Sequence, residues 1–400
     1  MATQELISNP KGGEKKGAAP QREGGSKKIQ LKEELRQLPY RDQVRKIQFS
    51  GRGKKAIQMK DEKEVEQQVQ NEIVIGMSKA NTEGDVRYPW ISVEGKEHPL
   101  GYLDPDYWEQ LKQGSELVPW TFNLRKGKSA SDGMDAVFKG PTRLECLSMA
   151  KAVYWRSIKE TLGREKFDNR YGENGKDNQN LTISASAPSQ IDPLLKHETI
   201  EQSGLKKGDW CYFHNHWKYL RKHPDGAFQG ENAIYMGKEG AGEDTWTGFG
   251  AHNKTTNSMM DTLKMAYDQS RTSKDEERIN EMKESLGSNL RKAGKGEEEV
   301  KKGQQILEDH YKDYPETVPP KEIPGLDEGG GMERMINMEI GDLDLRINLI
   351  KSLFPEDRST VQMLEFQKKR YDRQKAQAGK FKGKVSTTRL DTKQIAAMTE

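Results

Sequence analysis

The chain has 400 residues, of which 32% are hydrophobic and 32% charged, with a mean hydropathy of -0.99. So low an apolar content excludes one hydrophobic core spanning the whole chain, and no apolar run reaches the roughly 18 residues of a membrane span. The N-terminus lacks the charged, apolar and small-residue order of a secretory signal, which predicts synthesis in the cytoplasm. Two cysteines are too few for a disulfide framework.

Composition divides the chain into four segments. Residues 1–84 are predicted to be a basic, largely disordered leader rich in Gly and Lys. Residues 85–270 contain all 7 Trp and are predicted to form the folded domain. Residues 271–332, which include the glycine run 329–331, are predicted to be a polar linker with some helix. Residues 333–400 are predicted to be a helical extension with a basic tail.

Both ends of the chain are basic. Residues 1–60 contain 15 Lys and Arg against 6 Asp and Glu, and residues 361–400 contain 10 against 4. Neither end interleaves aromatic side chains for base stacking, so nucleic acid is not predicted as a partner. Solvated ends are the simpler interpretation.

The clearest helix follows Pro141. Apolar residues recur at three- and four-residue spacing from Leu147 to Leu162, and Gly163 is a stop signal. Cys146 is therefore predicted to lie in the first turn. Backbone N–H groups there would lower the pKa of its thiol and could bind an oxyanion. The alternative is a buried structural thiol.

Short β-type runs follow this helix, at residues 210–213, 233–236 and 245–249. One helix followed by several short strands predicts an α+β fold with an antiparallel sheet. Glu231 stands where the second run begins. A carboxylate in that position is either a functional group at the rim of the sheet or an edge-strand surface charge.

Four motifs occur in an order and spacing found in one known family. They are RLEC at 143–146, GDWCYFHN at 208–215, FQGENAIYMG at 228–237 and GFG at 248–250. Together they resemble the bacterial protein-glutamine gamma-glutamyltransferase of the Bacillus spore-coat type, whose fold is similar to the papain-like core of NlpC-type proteins. The resemblance covers about residues 140–252. It departs at Phe228, where the family tends to have Trp, and at Phe249, where it has His.

The resemblance implies roles for individual residues. Cys146 would be the nucleophile, Glu231 the general base and acid, and Glu145 a supporting carboxylate. Residues that would shape the site are Asp209, Asn232 and His252. The implied reaction passes the acyl group of a protein glutamine through a thioester to a lysine amine, as a cross-link, or to water, as a deamidation. No cofactor is implied, and the implied partners are proteins with accessible glutamine and lysine.

Two other functions fit the same residues. A papain-like scaffold could serve an amidase or peptidase of peptide or cell-wall bonds, although the strand motifs offer no clear histidine base. A catalytically silent interaction module is the other alternative. His214 and His216 would share one strand face suited to zinc, but Cys211 would point to the opposite face, so no metal site is predicted.

The leader carries a second, shorter resemblance. Residues 38–44 and 56–60 look like the leaders of cargo toxins of extracellular contractile injection systems. That resemblance implies an effector loaded into the lumen of a phage-tail-like tube and delivered to a target cell. An ordinary disordered tail is the alternative.

Overall fold

The computed structural model describes residues 59–89, 91–172, 181–185, 187, 189–240 and 242–399. The leader motif at 38–44 and most of the motif at 56–60 lie outside the described residues. Within the described part, none of the helices combines the length and apolar character needed to cross a membrane.

The elements fall into three groups along the chain. The first group is α1 (Met59–Thr82), β1 (Val86–Arg87), β2 (Trp108–Gln113), β3 (Glu116–Leu124), α2 (Ala130–Lys139), β4 (Thr142–Arg143), α3 (Cys146–Leu162), α4 (Arg164–Tyr171) and β5 (Thr182–Ser184). The second is β6 (Leu195–Glu201), β7 (Trp210–His214), α5 (Tyr219–Lys222), β8 (Gly230–Glu239), β9 (Glu243–Gly248), β10 (Ala251–Thr255) and α6 (Thr256–Asp268). The third is α7 (Ser273–Lys292), α8 (Glu297–Lys312), α9 (Glu328–Leu353), α10 (Arg358–Ala378), β11 (Lys384–Leu390) and α11 (Thr392–Thr399).

A six-stranded antiparallel sheet forms the centre of the fold. Its strand order is β10-β9-β8-β7-β11-β6. A three-stranded antiparallel sheet, β2-β3-β5, and a parallel pair, β1-β4, lie outside it. The predicted α+β fold is confirmed, as are the helix after Pro141 and the three short strands that follow it.

The main core lies on one face of the central sheet, where α1 packs against α3. Val69, Ile73 and Met77 of α1 are buried together with Trp155 of α3 and Ile234 of β8. The predicted boundary after residue 84 assigned α1 to the leader, but this helix is part of the core. Its apolar stripe at every third or fourth position is diluted by the charged residues between, which hid it from a composition-based reading.

The other face of the sheet is covered by α6. Phe213 and Trp246 of the sheet pack in one cluster with Met259 and Leu263 of α6. Helices thus pack on both faces of the sheet, so side chains on both faces of strand β8 are buried.

Helices α7 to α10 are inserted between α6 and β11 and have a core of their own. Ile279 and Leu290 of α7, Leu307 of α8 and Leu345 of α9 are all buried in it. The interpretation of the glycine run 329–331 as linker is wrong. These glycines form the first turn of α9, where the Asp327 side chain caps the helix by accepting from the Gly330 N–H at 3.0 Å.

The predicted basic tail contains a strand of the central sheet. Thr387 of β11 pairs with Glu198 of β6 on one side and with Cys211 of β7 on the other. Residues 333–400 are therefore not only an extension, because their last strand completes the sheet.

Candidate active site

The predicted nucleophile lies at the first residue of α3, against the start of β8. Glu145 is the N-cap of this helix, with extended backbone dihedrals. Its carboxylate accepts hydrogen bonds from the backbone N–H of Leu147 at 2.8 Å and from that of Ser148. The N–H groups predicted to bind an oxyanion are thus occupied by a side chain of the protein, leaving the N–H of Cys146 outside this cap.

The arginine of the RLEC motif anchors the approach to the helix. Arg143 is 2% exposed, and its guanidinium binds the Asp85 carboxylate at 3.1 Å and the backbone carbonyls of Ile91 and Ser92. A buried guanidinium that makes several hydrogen bonds restricts the movement of the segments it joins. It fixes the segment that follows β1 against the segment that enters α3.

Asn232 links the sulfur to the central sheet. Its Nδ2 donates to Cys146 Sγ at 3.1 Å, and its Oδ1 accepts from the indole Nε1 of Trp210 at 2.9 Å. Trp210 lies in the GDWC motif but was not predicted as a site residue. Only the cross-strand register, which pairs Trp210 with Ile234 and Tyr212 with Asn232, brings its ring beside the amide.

The Cys146 thiol is harder to ionise than an ordinary thiol. Burial raises its pKa, and the charges of Glu145 and Glu231 raise it further, while the hydrogen bond from Asn232 opposes them. The prediction that the helix N-terminus would lower this pKa is wrong, because burial of the thiol outweighs that effect and the Glu145 carboxylate caps the positive end of the helix. At rest Cys146 is a neutral thiol that needs a base to become a nucleophile.

Glu231 is a buried carboxyl group held beside a glycine. It is 6% exposed, and its Oε1 has no hydrogen-bond partner among the described residues. Burial raises the pKa of Glu231 to about 8, although the backbone N–H of Phe249 donates a hydrogen bond to it. A Cβ at Gly248 would overlap Oε1, so the carboxyl fits only against glycine. A group with this pKa can both hold and release a proton near neutral pH.

Tyr88 borders the same cluster, although it was not predicted as a site residue. Its hydroxyl donates to the carbonyl oxygen of Phe249, and its ring packs on the Phe249 ring with centroids 4.7 Å apart. Burial and the charges of Glu231, Cys146 and Glu145 all raise its pKa. The parallel pairing of β1 with β4 brings this residue to the end of α3 that carries the thiol.

Two predicted site-shaping residues lie apart from the sulfur. Asp209 is 2% exposed, and its carboxylate binds Arg389 of β11 at 2.7 Å and the backbone N–H of Lys206 at 2.8 Å. It therefore fastens β11 to the start of β7. His252 is exposed on β10 and makes no hydrogen bond or ion pair with any residue that the structure describes.

His214 and His216, the two histidines considered as zinc ligands, are buried groups that resist protonation. Burial lowers the pKa of His214 to about 3 and that of His216 to about 4. The described part of the chain contains no group of three or more His, Cys, Asp or Glu placed to hold a metal ion. Cys211 is buried in the cluster with Phe213, on the side of the sheet that faces α6.

The inserted helices reach the strand that carries Glu231. Arg334 of α9 is 7% exposed, and its Nη2 donates to the Gln229 carbonyl at 2.8 Å. A Cβ at Gly331, one turn earlier, would overlap the His214 ring at the end of β7. The backbones of His214 and Gly325 also bond to each other in both directions. The insertion thus packs against the end of β7 and the residue that precedes β8.

The chain is similar to a known protein family and to solved structures. Residues 96–285 match the family model described as protein-glutamine gamma-glutamyltransferase. A solved structure of the transglutaminase from Geobacillus stearothermophilus, without its C-terminal extension, is 18% identical, covers 52% of this chain and 86% of that chain, and gives a TM-score of 0.38. No curated protein matches the chain. The family match supports acyl transfer of the transglutaminase type, in agreement with the resemblance carried by the four motifs.

Proposed function

From the match of residues 96–285 to the protein-glutamine gamma-glutamyltransferase family, we propose that this chain transfers the acyl group of protein-bound glutamine through a thioester on Cys146. The observation that carries the proposal is the thiol at the start of α3, bonded to Asn232 at 3.1 Å and to the Glu145 carboxylate at 3.7 Å, with the buried carboxyl of Glu231 one residue before Asn232 on β8. A thiol supplied with carboxyl groups of this kind is a nucleophile with a candidate base.

The first half-reaction forms the thioester. Ionised Glu231 takes the thiol proton as Cys146 Sγ bonds to the carboxamide carbon of the glutamine, and the carbonyl oxygen becomes an oxyanion. Glu231 then gives this proton to the amide nitrogen, the C–N bond breaks and ammonia leaves. The oxyanion donors available on this chain are the Cys146 N–H and the Asn232 amide, because Glu145 occupies the N–H groups of Leu147 and Ser148.

The second half-reaction releases the acyl group. A lysine amine attacks the thioester carbon and passes a proton to Glu231. The C–S bond then breaks, and Sγ takes the proton back, which leaves an isopeptide cross-link. Water in place of the amine leaves glutamate, so deamidation needs no additional catalytic group.

Mass spectrometry of a glutamine-containing acceptor protein tests the proposal. The protein is incubated with the enzyme with and without a primary amine, and Cys146→Ala is compared with Cys211→Ala. We expect amine adducts or a gain of about 1 Da per glutamine, lost in Cys146→Ala and retained in Cys211→Ala, whose thiol lies away from the site. Cleaved peptide bonds with intact glutamines would instead establish the peptidase alternative. If glutamine is not modified and thiol reagents do not label Cys146, the catalytically silent interaction module would be the remaining alternative.

We also propose, on the resemblance of residues 38–44 and 56–60 alone, that the chain is an effector carried by a contractile injection tube. The excess of 15 Lys and Arg over 6 Asp and Glu in residues 1–60 is compatible with this role. Co-purification of the chain with assembled particles, with and without residues 1–58, tests this role. Equal loading of both forms would contradict it.

A further inference from the structure

The amide of Asn232 is bonded on both of its ends. Trp210 Nε1 lies 2.9 Å from Oδ1, and Cys146 Sγ lies 3.1 Å from Nδ2. An indole N–H can only donate a hydrogen bond. It therefore favours the one orientation of the amide in which Oδ1 points toward the ring. The NH₂ group is thereby turned toward the sulfur.

The orientation matters because the two ends of an amide act on a thiolate in opposite ways. An N–H donor stabilises the anion, whereas a carbonyl oxygen at the same place repels it. The thiol of Cys146 is already held neutral by burial and by Glu145 and Glu231. Hydrogen bonds from the side chain and from the backbone of Asn232 favour its ionisation, and only the side-chain bond depends on how the amide is turned.

Trp210 is itself held rigidly. Its ring packs edge-on against Tyr154 of α3, with centroids 6.0 Å apart at 87°. The Tyr154 hydroxyl lies within hydrogen-bond distance of the carbonyl oxygens of Gly208, at 2.9 Å, and of Thr388, at 2.8 Å, and its one hydrogen can be donated to either. The indole therefore has a fixed place from which to hold the amide.

We propose that Trp210 is a positioning residue, which holds the amide of Asn232 with its NH₂ group toward Cys146 and so stabilises the thiolate that forms during acyl transfer. This inference rests on the proposed function for its purpose. The geometry on which it stands concerns only three side chains and can be tested without any glutamine substrate.

The test is the rate of alkylation of Cys146 by iodoacetamide as a function of pH, in a Cys211→Ala background. Trp210→Phe keeps an aromatic ring and removes the N–H. We expect alkylation to fall about tenfold at a given pH and its profile to move to higher pH, because the amide can then turn its oxygen to the sulfur. The matched control is Trp246→Phe on β9, which removes an indole N–H that bonds Thr256 Oγ1 at the start of α6, and we expect its profile to be unchanged.

Two further variants keep the inference falsifiable if Trp210→Phe is unstable. Asn232→Asp keeps an acceptor for the indole and places an oxygen at the sulfur, so alkylation should slow in the same direction. Trp210→Phe combined with Asn232→Ala should be no slower than Asn232→Ala alone, because Trp210 acts through the amide. Additive losses, or a Trp210→Phe profile equal to that of Trp246→Phe, would overturn the inference. A confirmed profile without glutamine modification would overturn the proposed reaction and keep the positioning role.

Discussion

Cys146 is surrounded by groups that resist its ionisation, and this separates the site from a simple helix-activated thiolate. Glu145 caps the helix and Glu231 lies buried nearby, and both charges raise the pKa of the thiol. Glu231 offsets the difficulty of ionising the thiol, because its own raised pKa, about 8, suits a general base that acts near neutral pH. On the proposed function, the thiol therefore loses its proton to Glu231 only as it attacks the substrate.

The pH dependence of kcat/KM should report Glu231. Only its ionised form accepts the thiol proton, so the rate for a glutamine donor should rise as pH passes through about 8, far above the range of an ordinary carboxyl. Glu231→Gln should lose this rise and lower the rate by about 10²- to 10⁴-fold. Glu239→Gln, at the exposed end of the same strand, is the control. A flat wild-type profile between pH 6 and 9 would contradict the assignment.

The free energy of unfolding should fall over the pH range in which the catalytic rate rises. A carboxyl whose pKa is higher in the folded state binds its proton more tightly there than in the unfolded chain. Its contribution to stability is fully present below about pH 4.5 and is lost as the pH rises through about 8. Urea unfolding of the wild type should weaken across that window by at most about 1.4 kcal/mol per pH unit relative to Glu231→Gln. Parallel curves for the two proteins would show that Glu231 is not perturbed.

At the scale of elements, α9 is held against the end of β7 by a glycine. Gly331→Ala would push a methyl group into the His214 ring, which packs edge-on against Tyr212 at 4.9 Å and has little room to move. We expect a loss of about 1–3 kcal/mol in the free energy of unfolding, together with slower transamidation, because the same helix carries Arg334 to the Gln229 carbonyl.

The matched control for this prediction is Gly379→Ala. Gly379 has ordinary helical dihedrals, φ -56 and ψ -22, and no atom within 4 Å of the Cβ position. Its stability should change by no more than about 0.5 kcal/mol. Equal effects of the two substitutions in urea unfolding and in the rate assay would show that the contact with His214 is unimportant.

Local patterns predicted those elements in which apolar residues recur regularly along the whole element. The spacing from Leu147 to Leu162 gave the helix α3, and Gly163, at φ 78, ends it as expected. Helix α1 was assigned to the leader, and residues 271–332 were predicted as polar linker with some helix, because each of these helices buries one narrow stripe between many charges. In the same way, Glu145, Cys146, Asn232 and Glu231 could be gathered from motifs, whereas Trp210 and Tyr88 reach the site only through strand pairing, which no local pattern reveals.

At the scale of the whole molecule, the central sheet is assembled from distant parts of the chain. Strand β11 enters between β6 and β7 after the inserted helices, and Arg389 on it binds Asp209 at the start of β7. Its seven residues are flanked by lysines and carry no strong hydrophobic signal, so sequence predicted a tail. A strand buried between two partners is instead required for the sheet that positions Asn232 and Glu231.

A chain ended after Gly383 tests this requirement. Without β11, the strand β6 loses its one neighbour in the described sheet, and β7 becomes an exposed edge that uncovers Cys211. We expect the shortened chain to lose cooperative thermal unfolding and transamidation, and a peptide of residues 384–399 added in trans to restore both. The same peptide with Thr387→Pro, which cannot donate to the ladder from the middle of the strand, should fail. A shortened chain that unfolds at the wild-type temperature would show that the sheet forms without β11.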